Sequence, residues 1–179
     1  MAPHRVLLTG EPGCGKTTAV RKTAELLASY GLTVGGMISG EIRERGARVG
    51  FSLEDILTNE KGTLAHVDQT EGPRVGKYRV NLRDIERIGV RSIERATAVA
   101  DIIVVDELGP MELHSNEFVH AVETALASPK HFFGTIHKRA SHPLVVTVKT
   151  NPTCRVIDVT PENRDLIPLE IARQTVGKV

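Results

Sequence analysis

The sequence predicts an α/β fold with a mostly parallel central sheet, and three observations predict it. Apolar runs of strand length alternate with longer segments of helical period, as a sheet covered by helices requires. Ile102 to Val105 is an unbroken run of branched aliphatics with acids at both ends, which suits a strand buried on both faces. A glycine-rich turn, Gly10 to Gly15, joins the first apolar run to the first helical segment. At 179 residues the chain is expected to form one domain over 1–179, with a β-rich insertion over about residues 40–80.

Taken in order, Arg5 to Thr9 reads as a buried first strand. Thr17 to Tyr30 follows as a helix with Ala19, Val20, Ala24, Leu27 and Ala28 on its apolar side and Gly31 as its stop. Leu32 to Ile38 returns as a strand. Glu41 to Leu53 reads as a hairpin turning at Arg45-Gly46, and Gly62 to Val67 and Lys77 to Val80 as short strands between Gly and Pro breakers. Asn81, with Asp84 three residues on, is predicted to cap a helix to about Ala100 whose inner stripe is Leu82, Ile85, Gly89, Ile93 and Ala96. The strand at Ile102 comes next. Ser115 then caps a helix to about Ala127, His131 to Ile136 is a strand, Pro143 to about Lys149 a short helix, and Cys154 to Val159 the last strand. Thr160-Pro161 is predicted to open the C-terminal helix, with proline at its first position.

Composition narrows the function. Lys and Arg total 23 against 22 Asp and Glu, a net charge of +1, so no overall bias points to nucleic acid or to a membrane surface. Cys14 and Cys154 form no paired framework, and no apolar run approaches the roughly 20 residues that span a bilayer. A soluble, cytoplasmic protein is expected, and a monomer. None of the seven histidines sits in a metal-binding spacing such as HExxH, which argues against a histidine-held transition metal.

The glycine-rich turn carries the chemistry. Gly10, Gly15, Lys16 and Thr17 match GxxxxGK(S/T), with a strand before and a helix after. In the loop Gly10, Glu11, Pro12, Gly13, Cys14, Gly15, the glycines let main-chain N–H groups turn inward as a nest for phosphate oxygens. The following helix adds its free N–H groups and the positive end of its dipole. Lys16 then supplies a point charge and Thr17 a hydroxyl ligand for Mg²⁺, while Thr18 either reaches the α-phosphate or satisfies nearby backbone. Such a loop needs a partner carboxylate at the end of a buried strand, and Asp106 is that group. Glu107 next to it suits a base that orients and deprotonates water, which favours hydrolysis. Weaker candidates are Thr135 and His137 at the end of the next strand, the cations Lys138, Arg139, Arg43, Arg45 and Arg48, and Glu112 as a further acid.

The stretches "LLTGEPGCGKTT", "ISGEIRERGARVGFSL", "IIVVDELGPMEL", "GTIHKR" and "VTPENRD" stand in an order that resembles the cancer-related nucleoside-triphosphatase family, small P-loop enzymes of thermophilic prokaryotes and animals. The likeness covers about residues 4 to 170. It implies a three-layer P-loop fold of the additional-strand, catalytic-glutamate type, and slow Mg²⁺-dependent hydrolysis of several nucleoside triphosphates. The nucleotide-binding stretches it implies are Gly10 to Thr17 and Ile102, Ile103, Val104, Val105, Asp106, Glu107, Leu108 and Gly109. The chain departs from that pattern at Glu44 to Arg48, where a Gly-Gly pair is expected, and at His137, where proline is expected. No NKxD segment reads guanine, and Arg164 after the last strand offers only a stacking surface, so ATP, GTP, CTP and UTP are all expected substrates. Two other readings share these motifs: a nucleotide or nucleoside kinase whose β-rich insertion holds the acceptor, and a nucleotide-dependent switch or ATPase module.

Overall fold

A computed structural model describes residues 3–177. One sheet of nine strands runs through it, in the order β5-β6-β4-β3-β2-β7-β8-β1-β9. Its parallel half is β2 (Val34–Glu44), β7 (Ile102–Leu108), β8 (His131–Ile136), β1 (Arg5–Thr9) and β9 (Cys154–Asp158). Its antiparallel half is β3 (Ala47–Asp55), β4 (Lys61–His66), β5 (Arg74–Val75) and β6 (Tyr78–Val80), which continues the same sheet beyond β2. The β-rich insertion is therefore a lateral extension. β2 is longer than the sequence pattern predicts because its second half leaves the parallel block and pairs with β3 around the Arg45-Gly46 turn.

Alternation along the strands makes three layers. Leu7, Ile103, Val105 and Phe132 point to one face, where Ile93 of α3 (Arg91–Val99), Phe118 and Val122 of α4 (Asn116–Ala127) and Val145 of α5 (Pro143–Thr150) cover them. Val6, Leu8, Ile102, Val104 and Phe133 point to the other, under Val20 and Leu27 of α1 (Lys16–Ser29) and Ile171 of α6 (Ile167–Val176). In α1 the buried side includes Thr23, whose hydroxyl donates to the Ala19 carbonyl at 2.7 Å, while Ala28 is exposed.

Asn81 and Ser115 cap as predicted, their side chains accepting from the N–H of Asp84 and Phe118 at 3.1 and 3.2 Å. The helix after Asn81 is interrupted, however. A single turn of α2 (Leu82–Asp84) passes into a π segment (Ile85–Val90) before α3. The wider turn shifts the buried stripe, so Ile88 is buried and Leu82 is only partly so. The last helix starts later than predicted, at Ile167. Asn163 stops it earlier by closing a turn: its Oδ1 accepts from the Thr160 N–H and its Nδ2 donates to the Asp158 carbonyl, both at 2.8 Å. No helix among the described residues is long and apolar enough to cross a membrane.

Candidate active site

The parallel strands end on one edge of the sheet, and a cleft of about 630 Å³ opens there. The loop that follows β1 lines one side of it. Between Thr9 and Lys16 the chain turns through Gly13 at φ 78° and Gly15 at φ 109°, conformations that a side chain resists, and α1 begins directly after. Lys16 folds back over this loop, its Nζ donating to the Gly10 and Glu11 carbonyls at 3.0 and 3.2 Å. Glu11, Pro12, Lys16, Thr17 and Thr18 line the cleft, whereas Cys14 turns into the apolar layer beneath α1.

Asp106 gathers three hydroxyls. Thr17 and Ser39 donate to its Oδ2 at 3.0 and 3.1 Å, and Thr135 to its Oδ1 at 2.6 Å. The carboxyl is 2 % exposed, so burial raises its pKa, partly offset by those three hydroxyls. Glu107 beside it is pushed up to about 7, first by burial and then by the charge of Asp106, with Lys16 opposing. Of the predicted stretch Ile102 to Gly109, only Asp106 and Glu107 line the cleft. Ile102, Ile103, Val104, Val105 and Leu108 are buried in the sheet and hold the two acids at its edge.

The weaker candidates separate. Thr135 reaches the centre. His137 lines the cleft, its pKa lowered first by burial and then by Lys149, and its Nδ1 accepts from the Arg139 N–H at 3.2 Å. Lys138 and Arg139 lie on the rim against Glu11. Arg48 faces the far end of the cleft, held by Glu41 at 2.9 Å and the Tyr78 hydroxyl at 3.1 Å. Arg43 is tied up by Glu41 and the Gly46 carbonyl, and Arg45 is exposed at the hairpin turn. Arg164 lies beside Gly15 and lines a second, 290 Å³ pocket with Thr18, Lys22 and Asp165.

One residue of the site escapes sequence reasoning. Ser39 becomes a neighbour of Asp106 only because β2 pairs with β7, a strand order that no local pattern encodes. Glu112, named in the sequence as a candidate further acid, is 4 % exposed in a 3₁₀ turn that folds back into the cleft, where burial first, and then Glu107, raise its pKa well above the ordinary range.

The oxygen donors fit a hard cation. Mg²⁺ takes few protein ligands and completes its shell with water and phosphate, and the hydroxyl and carboxylate oxygens of Thr17 and Asp106, 3.0 Å apart, are donors of the kind it takes.

A strand-to-helix phosphate loop facing a strand-end Asp-Glu pair, with β8 intervening between β1 and β7, defines a P-loop NTPase fold of the additional-strand, catalytic-glutamate type. Comparison with known proteins agrees. A family model described as NTPase matches residues 5–172. The nucleoside-triphosphatase THEP1 of Thermofilum pendens is 48 % identical over 180 residues, covering 100 % of this chain and 99 % of that protein. The one from Methanosarcina acetivorans is 44 % identical, covering 98 % of each. Among solved structures, THEP1 from Aquifex aeolicus superposes with a TM-score of 0.84 at 33 % identity, covering 93 % of this chain and 96 % of that one. A human cancer-related nucleoside triphosphatase does so with 0.81 at 32 %, covering 99 % and 100 %. The chain belongs to this NTPase family.

Proposed function

We propose that the protein, as a single cytoplasmic domain, hydrolyses nucleoside triphosphates to the diphosphate and phosphate in this cleft. The loop Gly10 to Thr17 binds the β- and γ-phosphates with its main-chain N–H groups, and Lys16 leaves the Gly10 and Glu11 carbonyls to meet their oxygens. Thr17 and Asp106 hold Mg²⁺, which when bound offsets the charge that grows on the terminal phosphate oxygens. Glu107 orients water in line with the γ-phosphorus and takes its proton, and its raised pKa suits a base working near neutrality. Thr135 and Ser39 fix the Asp106 carboxylate from either side of β7. The nucleoside lies toward Arg164 and Thr18, where stacking without a base-reading carboxamide or carboxylate supports broad use of ATP, GTP, CTP and UTP.

The observation that carries this reading is the 3.0 Å hydrogen bond from Thr17, at the head of α1, to Asp106, at the end of β7. It brings the two halves of a phosphate and cation site together across 89 residues of sequence. Its test is phosphate release from the four nucleoside triphosphates with Mg²⁺ and with EDTA, in the parent and in Lys16→Ala. Turnover should require the cation, and Lys16→Ala should lose nucleotide affinity and rate together. Unchanged affinity and rate in that variant would overturn the proposal.

One feature supports a second reading. The same cleft is also lined by the apolar side chains Phe51, Leu64, Val75 and Met111, which hydrolysis by water does not need. An acceptor alcohol seated there would make the enzyme a kinase. Labelling of nucleosides from [γ-³²P]ATP far faster than phosphate release would favour that reading over hydrolysis.

A further inference from the structure

The cations on the rim of the cleft are arranged around a single acid of the phosphate loop. Glu11 takes Arg139 Nη2 at 3.1 Å and Lys138 Nζ at 3.3 Å, and Lys138 also reaches Asp158 at 3.6 Å. The two cations differ in freedom. Lys138 bridges the loop to the end of β9 and is 40 % exposed. Arg139 has Glu11 as its only side-chain partner among the described residues and is 76 % exposed.

The main chain beneath them is fixed. The His137 N–H donates to the Leu108 carbonyl at 3.0 Å, the Arg139 N–H to His137 Nδ1, and Lys149 Nζ to the His137 and Lys138 carbonyls at 2.9 and 2.8 Å. Arg139 is thus an exposed side chain, held only by Glu11 among the described side chains, on an anchored base. It projects from the end of β8, the strand that lies between the phosphate loop and the Asp106-Glu107 edge. It also grips the residue whose carbonyl accepts from Lys16 Nζ at 3.2 Å, so its guanidinium is held on the phosphate loop itself, beside the lysine's own anchor.

Resting on the hydrolytic reading above, we propose that Arg139 is the catalytic cation for the γ-phosphate, stored on Glu11 in the unliganded enzyme and exchanged onto the phosphate oxygens when a triphosphate binds. Glu11 is a carboxylate in the place of the incoming anion, kept ionised by Lys138 and Arg139, so it competes with phosphate for the guanidinium. A diphosphate leaves Arg139 on Glu11, and a triphosphate draws it off. In the transfer step the water oxygen bonds to γ-phosphorus, the bond to the β,γ-bridging oxygen breaks with its electrons going to the diphosphate, and Glu107 takes the proton. Arg139 exchanges no atom. It holds the charge that spreads over the equatorial oxygens, as an arginine supplied in cis does in other phosphoryl-transfer enzymes.

The test compares the full-length parent with Arg139→Ala, Arg139→Lys and Glu11→Gln by steady-state phosphate release, by ADP titration, and by trapping of ADP with aluminium fluoride as a mimic of the transferring phosphoryl group. Arg139→Ala should lose kcat by on the order of 10²- to 10³-fold with ADP affinity unchanged, and should fail to trap ADP–aluminium fluoride. Arg139→Lys should recover only part of the rate, because an ammonium cannot bridge two oxygens as the planar fork does. Millimolar guanidinium should partly rescue Arg139→Ala. Glu11→Gln should lower KM for ATP several-fold and leave ADP affinity alone.

Parent-level kcat or trapping in Arg139→Ala overturns the assignment, as does a loss that appears in Lys138→Ala and not in Arg139→Ala. Weakened ADP binding in Arg139→Ala also overturns it, since it would mean a general role in the fold of the loop. If Glu107→Gln is inactive while Arg139→Ala is fully active, only this inference fails. If Glu107→Gln is fully active, the hydrolytic reading itself fails.

Discussion

Glu107→Gln should cripple turnover and at the same time stabilise the unliganded protein, and the two effects have one cause. In the folded, ligand-free chain the carboxyl has no hydrogen-bond donor among the described side chains, lies against Asp106, and has its pKa raised from 4.5 to about 7, chiefly by burial. A group whose pKa rises on folding stabilises the fold fully below its unfolded value and loses that contribution as pH climbs through the folded value. At about 1.4 kcal/mol per pH unit, keeping Glu107 ionised at pH 8 costs the folded state about 3 kcal/mol, and under about 1 kcal/mol at pH 5. Glutamine keeps the shape and removes the charge. Urea unfolding in EDTA without nucleotide should therefore show the variant more stable by about 3 kcal/mol at pH 8, or about 6–12 °C in Tm for a chain of this size, and little changed at pH 5. Phosphate release with Mg²⁺ should fall by about 10²- to 10⁴-fold as the general base is lost. A variant no more stable than the parent at pH 8, or equally stabilised at both pH values, would refute the argument that buried charge sets this group. Parent-level turnover would refute its role as base.

Three further outcomes can be measured. Thr135→Val, nearly isosteric and fully buried, should cost about 2 kcal/mol in urea unfolding, because the buried Asp106 Oδ1 loses its 2.6 Å donor. Gly134→Ala should destabilise by about 3 kcal/mol or more, since a methyl there runs into the Val105 carbonyl oxygen of β7, backbone that the sheet pins on both sides. His131, its pKa lowered by burial first and by the stacked His4 ring second, accepts the His4 N–H on Nδ1 at 3.0 Å. Its contribution is intact above the unfolded pKa of about 6.5 and lost as pH falls below it, so Tm should decline on acidification and His131→Phe should flatten part of that decline.

What could be read from the sequence is what lies within a few residues along the chain. The turn from Gly10 to Thr17 declares itself because a strand, three glycines, a lysine and a helix start are contiguous. Asp106 and Glu107 do so because an apolar run ends on them, and Asn81 and Ser115 because a cap and the N–H that donates to it are three residues apart. The same local reasoning misplaces the last helix, where Thr160-Pro161 looks like a start but Asn163 closes a turn first. It also cannot see the π segment at Ile85–Val90, where tertiary packing outweighs the 3.6-residue period. Ser39 on Asp106, and Arg139 on Glu11 across 128 residues, belong to strand order, which is a global property.

That strand order also explains why the site is so heavily acidic inside. In a parallel block all C-terminal ends share one edge, so β1 brings the phosphate loop, β2 Ser39, β7 the two adjacent acids and β8 Thr135 with the Arg139 segment to the same few ångströms. Any carboxylate at the end of a strand buried on both faces must be desolvated, and the neighbouring 3₁₀ turn adds a third acid, Glu112, to the same volume. Hydroxyls satisfy Asp106, but of the cations on this edge only Lys16 opposes the charge of Glu107, while Lys138 and Arg139 are spent on Glu11. The unliganded fold is therefore held together by its two apolar layers in spite of its active edge. A substitution that neutralises that edge should make the protein sturdier and less active together, whereas one that disturbs the layers should cost stability outright.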